Sequence, residues 1–167
     1  MNQGYRRNRL TVDIVFTDGA CPGNGQRGAS AGWGFFWPKS GVEGCGRVPG
    51  QQSNNRAELY AVYRALQVAL DQDHPPDVVI VKTDSDLLIK TMTDYIYRWQ
   101  RNNWQTTNRT PVKNRDVVEW IDDLQNEFNE VIYEYVPAHS GIVPNEVADS
   151  LARDGARMPY NCENIQY

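Results

Sequence analysis

The segment Ile14-Val15-Phe16-Thr17-Asp18-Gly19-Ala20 gives the strongest fold signal in this chain. Its β-branched and aromatic residues predict a buried strand, and the apolar run ends at an aspartate followed by a glycine. A carboxylate at the end of a buried strand costs free energy unless something uses it. Asp18 is therefore a candidate functional residue, and other acids in comparable positions are candidates to join it.

A second strand predicted from Val78 to Thr83 also ends at an acid, Asp84. Between the two strands, an N-cap signal at Ser53 and apolar residues at helical spacing predict a helix that ends near Leu70. A strand, a helix and a strand in this order imply a right-handed crossover and parallel pairing. The two aspartates would then lie at the carboxyl edge of the sheet, where open α/β sheets bind their ligands.

The remaining patterns complete one α/β domain. A glycine-rich turn after Asp18 leads to a second predicted strand at 31–37, and a third follows at 41–48. Three successive strands joined by short turns predict an antiparallel meander. The later predicted elements are helices over 85–96, from Asn114 or Asp116 to Phe128 and from Pro144 to Gly155, and a strand over 131–136. We expect a flexible basic N-terminus at 1–11, the domain at 12–157 and a flexible C-terminal tail at 158–167.

Length and composition favour a single globular domain without a membrane partner. The chain has 167 residues, 40% hydrophobic and 23% charged, and no apolar run is long enough to span a bilayer. The three cysteines include no Cys-x-x-Cys pair, which argues against a disulfide framework and a zinc site. We therefore expect reduced thiols in an intracellular protein.

The formal charge of −4 has the wrong sign for binding nucleic acid through the overall field. One segment, from Tyr95 to Arg115, contains no Asp or Glu and interleaves basic residues with aromatic ones. This composition suits contact with phosphates and with base or sugar faces. It equally suits a solvated loop that its aromatic residues anchor to the core, and the residues alone leave both readings open.

Two more acids lie in the first turns of predicted helices, Glu58 in the helix after Ser53 and Asp149 in the last helix. Acids at helix N-termini are stabilised by the helix dipole, which is a sufficient explanation for any one of them. Four acids on four elements around one sheet are harder to explain in this way. Together they favour a cluster that holds a cation.

Five short motifs follow one another along the chain: Thr17–Ala20, Ser53–Leu59, Thr83–Ser85, Pro137–Gly141 and Asn145–Ala152. In order, they resemble the motifs of ribonuclease H type 1, an enzyme that cuts RNA in RNA/DNA hybrids, and the match runs from about Val12 to Ala156. The turn at Asn24 and the segment from Tyr95 to Arg115 resemble the cellular, eukaryotic-like branch. The resemblance implies an α/β ribonuclease H-like fold: a five-stranded mixed sheet, its first three strands antiparallel, flanked by helices.

The resemblance also implies an activity and a metal site. The activity is hydrolysis of the RNA strand of an RNA/DNA hybrid by a monomer, leaving 5′-phosphate and 3′-hydroxyl ends. Asp18, Glu58, Asp84 and Asp149 are implied to ligate two Mg²⁺ ions, for which Mn²⁺ is a candidate substitute. His139 is implied to assist proton transfer or product release.

The substrate-binding residues rest on the same resemblance. Asn24, Asn54 and Asn55 are implied to contact the RNA strand. The residues implied to contact the DNA strand are Ser53 and Asn114 in a phosphate pocket and Tyr95, Trp99 and Thr107 in a channel.

Two departures from the family pattern concern the DNA strand. Gln51 stands where many relatives have an arginine, and Tyr95 stands where a tryptophan is common. Both are expected to weaken or reshape DNA-strand binding without affecting catalysis. The alternatives to a hybrid-cutting enzyme are a catalytically silent hybrid-binding module and another nuclease of the ribonuclease H-like superfamily.

Overall fold

The computed structural model describes residues 9–167, which fold around a mixed sheet of six strands in the order β5-β4-β1-β2-β3-β6. Strands β1 to β3 form the predicted antiparallel meander, and β4 and β5 extend the sheet from β1 by parallel pairing. The strands are β1 Val12–Ala20, β2 Gly32–Phe36, β3 Glu43–Arg47, β4 Val78–Thr83, β5 Glu130–Tyr135 and β6 Glu163–Gln166.

Helices cover both faces of this sheet. The larger apolar core includes residues of α1 and α4, and a smaller apolar cluster lies between β1 and α5. The helices are α1 Asn54–Leu70, α2 Asp86–Lys90, α3 Ile96–Arg101, α4 Arg115–Gln125 and α5 Val143–Arg157, with a π-helical turn at Thr91–Tyr95 between α2 and α3. No helix in residues 9–167 combines the length and the apolar character needed to cross a membrane.

Helix α1 lies very close to the end of β1. Its predicted N-cap is confirmed, because the Ser53 hydroxyl accepts a hydrogen bond from the backbone N–H of Arg56 at 3.2 Å. A Cβ atom on Gly19 would lie 2.4 Å from the backbone nitrogen of Glu58. Only glycine leaves room for the helix to come this close to the strand. The close contact brings Glu58 of the helix beside Asp18 of the strand.

Helix α5 packs on the other face through small residues. A Cβ atom on Gly34 would lie 2.5 Å from the backbone nitrogen of Ala152 and 2.6 Å from the carbonyl oxygen of Ala148. Gly34 is also the cross-strand partner of Asp18. The close packing of α5 at this point therefore sets the position of Asp149 relative to Asp18.

The structure corrects the expected strand count and the expected C-terminal tail. Residues Glu163–Gln166 form β6, which pairs antiparallel with β3, so the sheet has six strands rather than five and the tail at 158–167 is partly ordered. Ile165 packs against the large core, and the open edge of β3 supplies the backbone partners. Most of the predicted flexible segment 1–11 lies outside the described residues, and the domain bounds 12–157 stay a prediction.

Candidate active site

Three of the four predicted acids meet at one point. Asp18 on β1, Glu58 on α1 and Asp84 after β4 each offer an oxygen, and these oxygens lie within 4.8 Å of one another. Asp18 and Glu58 are each only 5% exposed. The meeting follows from the parallel pairing of β1 with β4 and from the close approach of α1 at Gly19. These acids form the floor of a cavity of about 370 Å³.

Asp149 and His139 line the same cavity, together with Asn54 and Ser85. The Asp149 carboxylate lies outside the three-oxygen group and pairs with Arg153 at 2.8 Å along α5. Its charge nevertheless acts on both Asp18 and Asp84. The structure thus brings all five predicted catalytic residues to one cavity, and the role of Asp149 as a metal ligand stays a prediction.

Burial and mutual repulsion shift the protonation of this cluster. Burial first, and then the charges of Asp84 and Asp149, raise the pKa of Asp18 from 3.8 to about 7. Burial and the charges of Asp18 and Asp84 raise the pKa of Glu58 well above its usual range. Burial and the charge of Asp149 raise the pKa of Asp84, and the nearby His139 partly offsets this rise. Without a cation, the cluster therefore retains protons near neutral pH.

The donor set fits a hard divalent cation. Carboxylate oxygens are the ligands that Mg²⁺ prefers, and a bound cation would replace the protons that the cluster otherwise retains. The Oε2 atom of Glu58 is buried and accepts no hydrogen bond from any residue in 9–167. The Oδ1 atom of Asp18 accepts the backbone N–H of Gly19 at 2.8 Å, which holds this carboxylate in place. The buried acidic cluster thus indicates that the protein uses divalent metal.

The raised pKa of Asp18 should make the free energy of unfolding depend on pH. Between the usual pKa of 3.8 and the native value of about 7, the folded protein binds more protons than the unfolded chain, so its free energy of unfolding falls as pH rises. Asp18→Asn removes this effect and still accepts the Gly19 N–H. In EDTA at about pH 8, we expect the variant to be more stable than the wild type by about 1–3 kcal/mol. Urea unfolding measures the difference, which should disappear near pH 3; an equal or lower stability at pH 8 would contradict it.

The asparagines implied to contact RNA lie beside the acidic cavity. The side-chain carbonyl of Asn24 accepts a hydrogen bond from the backbone N–H of Asn54 at 2.9 Å, which joins the glycine-rich turn to the start of α1. Asn54 lines the acidic cavity. A neighbouring cavity of about 300 Å³ is lined by Asn24, Gln51, Ser53, Asn55 and Asn114, among others. Residues predicted for the RNA strand, Asn24 and Asn55, therefore line the same cavity as Ser53 and Asn114, which are predicted for the DNA strand.

A third cavity, of about 280 Å³, contains most of the predicted channel. Tyr95 and Trp99 line it, with Asn55 and Asn114 at the border to the second cavity. Thr107 is exposed and is not among its lining residues; Thr106 and Thr110 are, with their hydroxyl oxygens 2.6 Å apart. Thr106 and Thr110 thus line this cavity, and the role of Thr107 in substrate binding stays a prediction.

The sequence left open whether the aromatic residues of this segment contact nucleic acid or anchor the loop to the core, and the structure separates them into two groups. Trp104 is 8% exposed and packs in the core, with the guanidinium of Arg115 over its ring at 4.9 Å. Trp99 contacts Trp104 at 6.0 Å between ring centroids and Tyr95 at 5.7 Å. One end of this ring series therefore anchors the loop, and the other end lines the cavity.

Two basic residues near the site were not assigned an individual role from the sequence. Lys113 lines both the second and the third cavity, in the segment that the sequence marks as basic. Arg56 is 7% exposed and forms two hydrogen bonds to the Asp116 carboxylate, at 2.9 and 2.8 Å. Arg56 lies between core positions of α1, and this placement is the sequence signal that could have identified it as a buried arginine. Its partner, Asp116, cannot be predicted from the sequence.

The mixed sheet and the buried acids at its carboxyl edge define a ribonuclease H-like α/β protein. A family model described as RNase H matches residues 11–157. The chain belongs to the RNase H family, which confirms the resemblance that its motifs carry.

Three relatives illustrate the similarity. The chain is 37% identical to Ribonuclease H1 of Mus musculus over 146 residues, 87% of this chain and 50% of that protein. It is 37% identical to Ribonuclease HI of Caulobacter vibrioides over 86% of this chain and 92% of that protein. The crystal structure of RNase H1 from Halobacterium salinarum has a TM-score of 0.61 at 27% identity, over 86% of this chain and 96% of that one. The chain spans about half the length of its mouse, rat and human relatives.

Proposed function

We propose that this protein is an endoribonuclease that hydrolyses the RNA strand of RNA/DNA hybrids and leaves 5′-phosphate and 3′-hydroxyl ends. The observation that carries the proposal is the group of three carboxylates within 4.8 Å on the floor of a cavity. Membership of the RNase H family supports it. Monomeric action and an intracellular location are further predictions from the sequence.

The reaction needs stabilisation of negative charge. A phosphodiester repels a nucleophile through its anionic oxygens, and charge develops on the attacking and leaving oxygens. Two bound Mg²⁺ ions would stabilise both oxygens and lower the pKa of the attacking water. Asp18, Glu58 and Asp84 would hold the ions, with Asp149 as the fourth ligand, and Mn²⁺ is a candidate substitute.

The protein side chains supply positioning and proton transfer. Asp18 is fixed by the Gly19 N–H and Glu58 by its burial, so neither needs to reorganise during the reaction. His139 is exposed at the cavity, with a backbone φ of 51° in the loop before α5. From there its imidazole can exchange a proton with a leaving oxygen in the cavity or with solvent.

Discrimination between the strands requires sensing the 2′-hydroxyl. We assign the RNA strand to the surface of Asn24, Asn54 and Asn55 next to the acids. We assign the DNA strand to the parts of the second and third cavities lined by Ser53, Asn114, Tyr95 and Trp99, where Lys113 contributes a positive charge. The Ser53 oxygen accepts the Arg56 N–H while capping α1, and its own hydroxyl hydrogen stays available for a phosphate oxygen.

One labelled sequence presented in different duplexes tests the proposal. The substrates are RNA/DNA, RNA/RNA and DNA/DNA duplexes and the corresponding single strands, each in Mg²⁺. We expect internal cuts in the RNA strand of the hybrid alone, with products that a 5′-phosphate-dependent exonuclease degrades. Binding of the hybrid without cutting would favour the silent binding module, and cutting of DNA/DNA would favour another nuclease of the superfamily.

A further inference from the structure

The C-terminal segment beyond the family match contacts a loop that lines the second cavity, to which we assign part of the DNA strand. The match ends at residue 157, and the following residues run along the edge of β3 and form β6. The loop in question, Pro49–Ser53, connects β3 to α1 and carries Gln51 and Ser53 into the second cavity. Contacts between these two segments therefore bear on substrate binding.

Tyr160 makes the most direct of these contacts. Its hydroxyl oxygen accepts a hydrogen bond from the backbone N–H of Gly50 at 2.7 Å. Gly50 has a φ of 79°, a left-handed conformation that favours glycine, so the turn at this point has little freedom to take another residue. The hydroxyl thus holds the loop at Gly50, one residue before Gln51.

A second set of contacts connects the same segments through Arg47 and Gln52. The Arg47 guanidinium donates to the Met158 carbonyl at 3.0 Å and to the Gln52 side-chain carbonyl at 2.7 Å. The Gln52 amide nitrogen donates to the carbonyls of Val48 and Gly50 at 2.7 and 3.0 Å. The base of the loop is thereby tied both to β3 and to the C-terminal segment.

Arg56 contacts the Pro49–Ser53 loop from helix α1. Its Nε donates to the Pro49 carbonyl at 2.9 Å, and its guanidinium also reaches the Asn114 side chain at 3.4 Å. Arg56 therefore couples the loop to the other wall of the cavity, where Asn114 lies. The loop is therefore held by Arg56 of α1 and by Tyr160 of the C-terminal segment.

We propose that Tyr160 is a positioning residue for hybrid binding: through Gly50 it holds the Pro49–Ser53 loop in the conformation that presents Ser53 and Gln51 to the phosphates of the DNA strand. The inference rests on the proposed function and adds a determinant outside the family match. Because the acids lie on β1, on α1 and after β4, this contact affects binding and leaves the chemical step unchanged.

Tyr160→Phe tests the inference, since it removes only the hydroxyl. The dissociation constant for a fluorescent RNA/DNA hybrid is measured in an Asp18→Asn background, where cutting does not interfere. We expect it to rise about threefold, as for the loss of one hydrogen bond. In the cleaving protein, KM should rise by a similar factor with kcat unchanged. The matched control is Tyr167→Phe, which changes an exposed tyrosine in the same segment.

The outcomes separate this inference from the proposed function. A higher dissociation constant with an unchanged free energy of unfolding supports positioning by Tyr160. Equal constants for Tyr160→Phe and Tyr167→Phe, or a fall in kcat at constant KM, overturn the inference and leave hybrid cleavage intact. If the Asp18→Asn protein does not bind the hybrid at all, the inference and the substrate assignment both fail.

Discussion

Asp18→Asn is expected to lower kcat for hybrid cleavage by about 1,000-fold or more, because it removes a charged ligand at the centre of the acidic cluster. Hybrid binding should remain largely intact, since the residues assigned to both strands lie elsewhere. Single-turnover cleavage and anisotropy on the same labelled hybrid measure the two effects. The variant is also expected to be more stable without metal, so a loss of activity cannot come from unfolding.

Asp154→Asn is the control for this result. Asp154 lies on α5, like Asp149, but its side chain is 55% exposed and pairs with Arg157 at 3.2 Å. We expect this variant to cleave at the wild-type rate. Cleavage by Asp18→Asn at the wild-type rate would contradict the assignment of the metal site.

Gly34→Ala is expected to reduce both stability and activity. The added methyl would clash with the backbone of α5 at Ala148 and Ala152, and overpacking of this kind costs about 3 kcal/mol. The relief of the clash moves α5 away from the sheet and Asp149 away from Asp18. Thermal unfolding and kcat measure the two effects, and we expect kcat to fall even at temperatures where the variant is fully folded.

Gly25→Ala separates the clash from the general cost of replacing a glycine. A Cβ atom on Gly25 meets no atom within 4 Å, and only its φ of 78° opposes the substitution. We expect a cost of about 1 kcal/mol and an unchanged kcat at saturating hybrid. If Gly34→Ala were as mild as Gly25→Ala, the packing of α5 at Gly34 would not set the position of Asp149.

The central part of the site could be predicted because it depends on local patterns. Apolar runs that end at Asp18 and Asp84 predict two strands, and the Ser53 cap predicts the helix that carries Glu58. Parallel pairing of β1 with β4 then brings Asp18 and Asp84 to one edge, and the close approach of α1 at Gly19 adds Glu58. Each strand and each cap is signalled within a few residues, and the strand–helix–strand order of the chain supplies the parallel pairing.

The features that could not be predicted depend on distant partners. Strand β6 has one partly buried residue, Ile165, and pairs with the edge of β3 that is open beside it. The π-helical turn at Thr91–Tyr95 interrupts a pattern that reads as one continuous helix. That Thr106 and Thr110 line the third cavity, while Thr107 does not, depends on the path of the loop between them. None of these is set by local residue type alone.

Metal dependence of hybrid cleavage shows whether Asp18, Glu58 and Asp84 form a catalytic metal site. The protein is dialysed against a chelator, and RNA-strand cleavage of one labelled hybrid is followed as Mg²⁺ is added back. We predict no cleavage in the metal-free protein and full recovery at millimolar Mg²⁺. Cleavage that continues at the same rate in excess chelator would contradict the assignment of Asp18, Glu58 and Asp84 as a catalytic metal site.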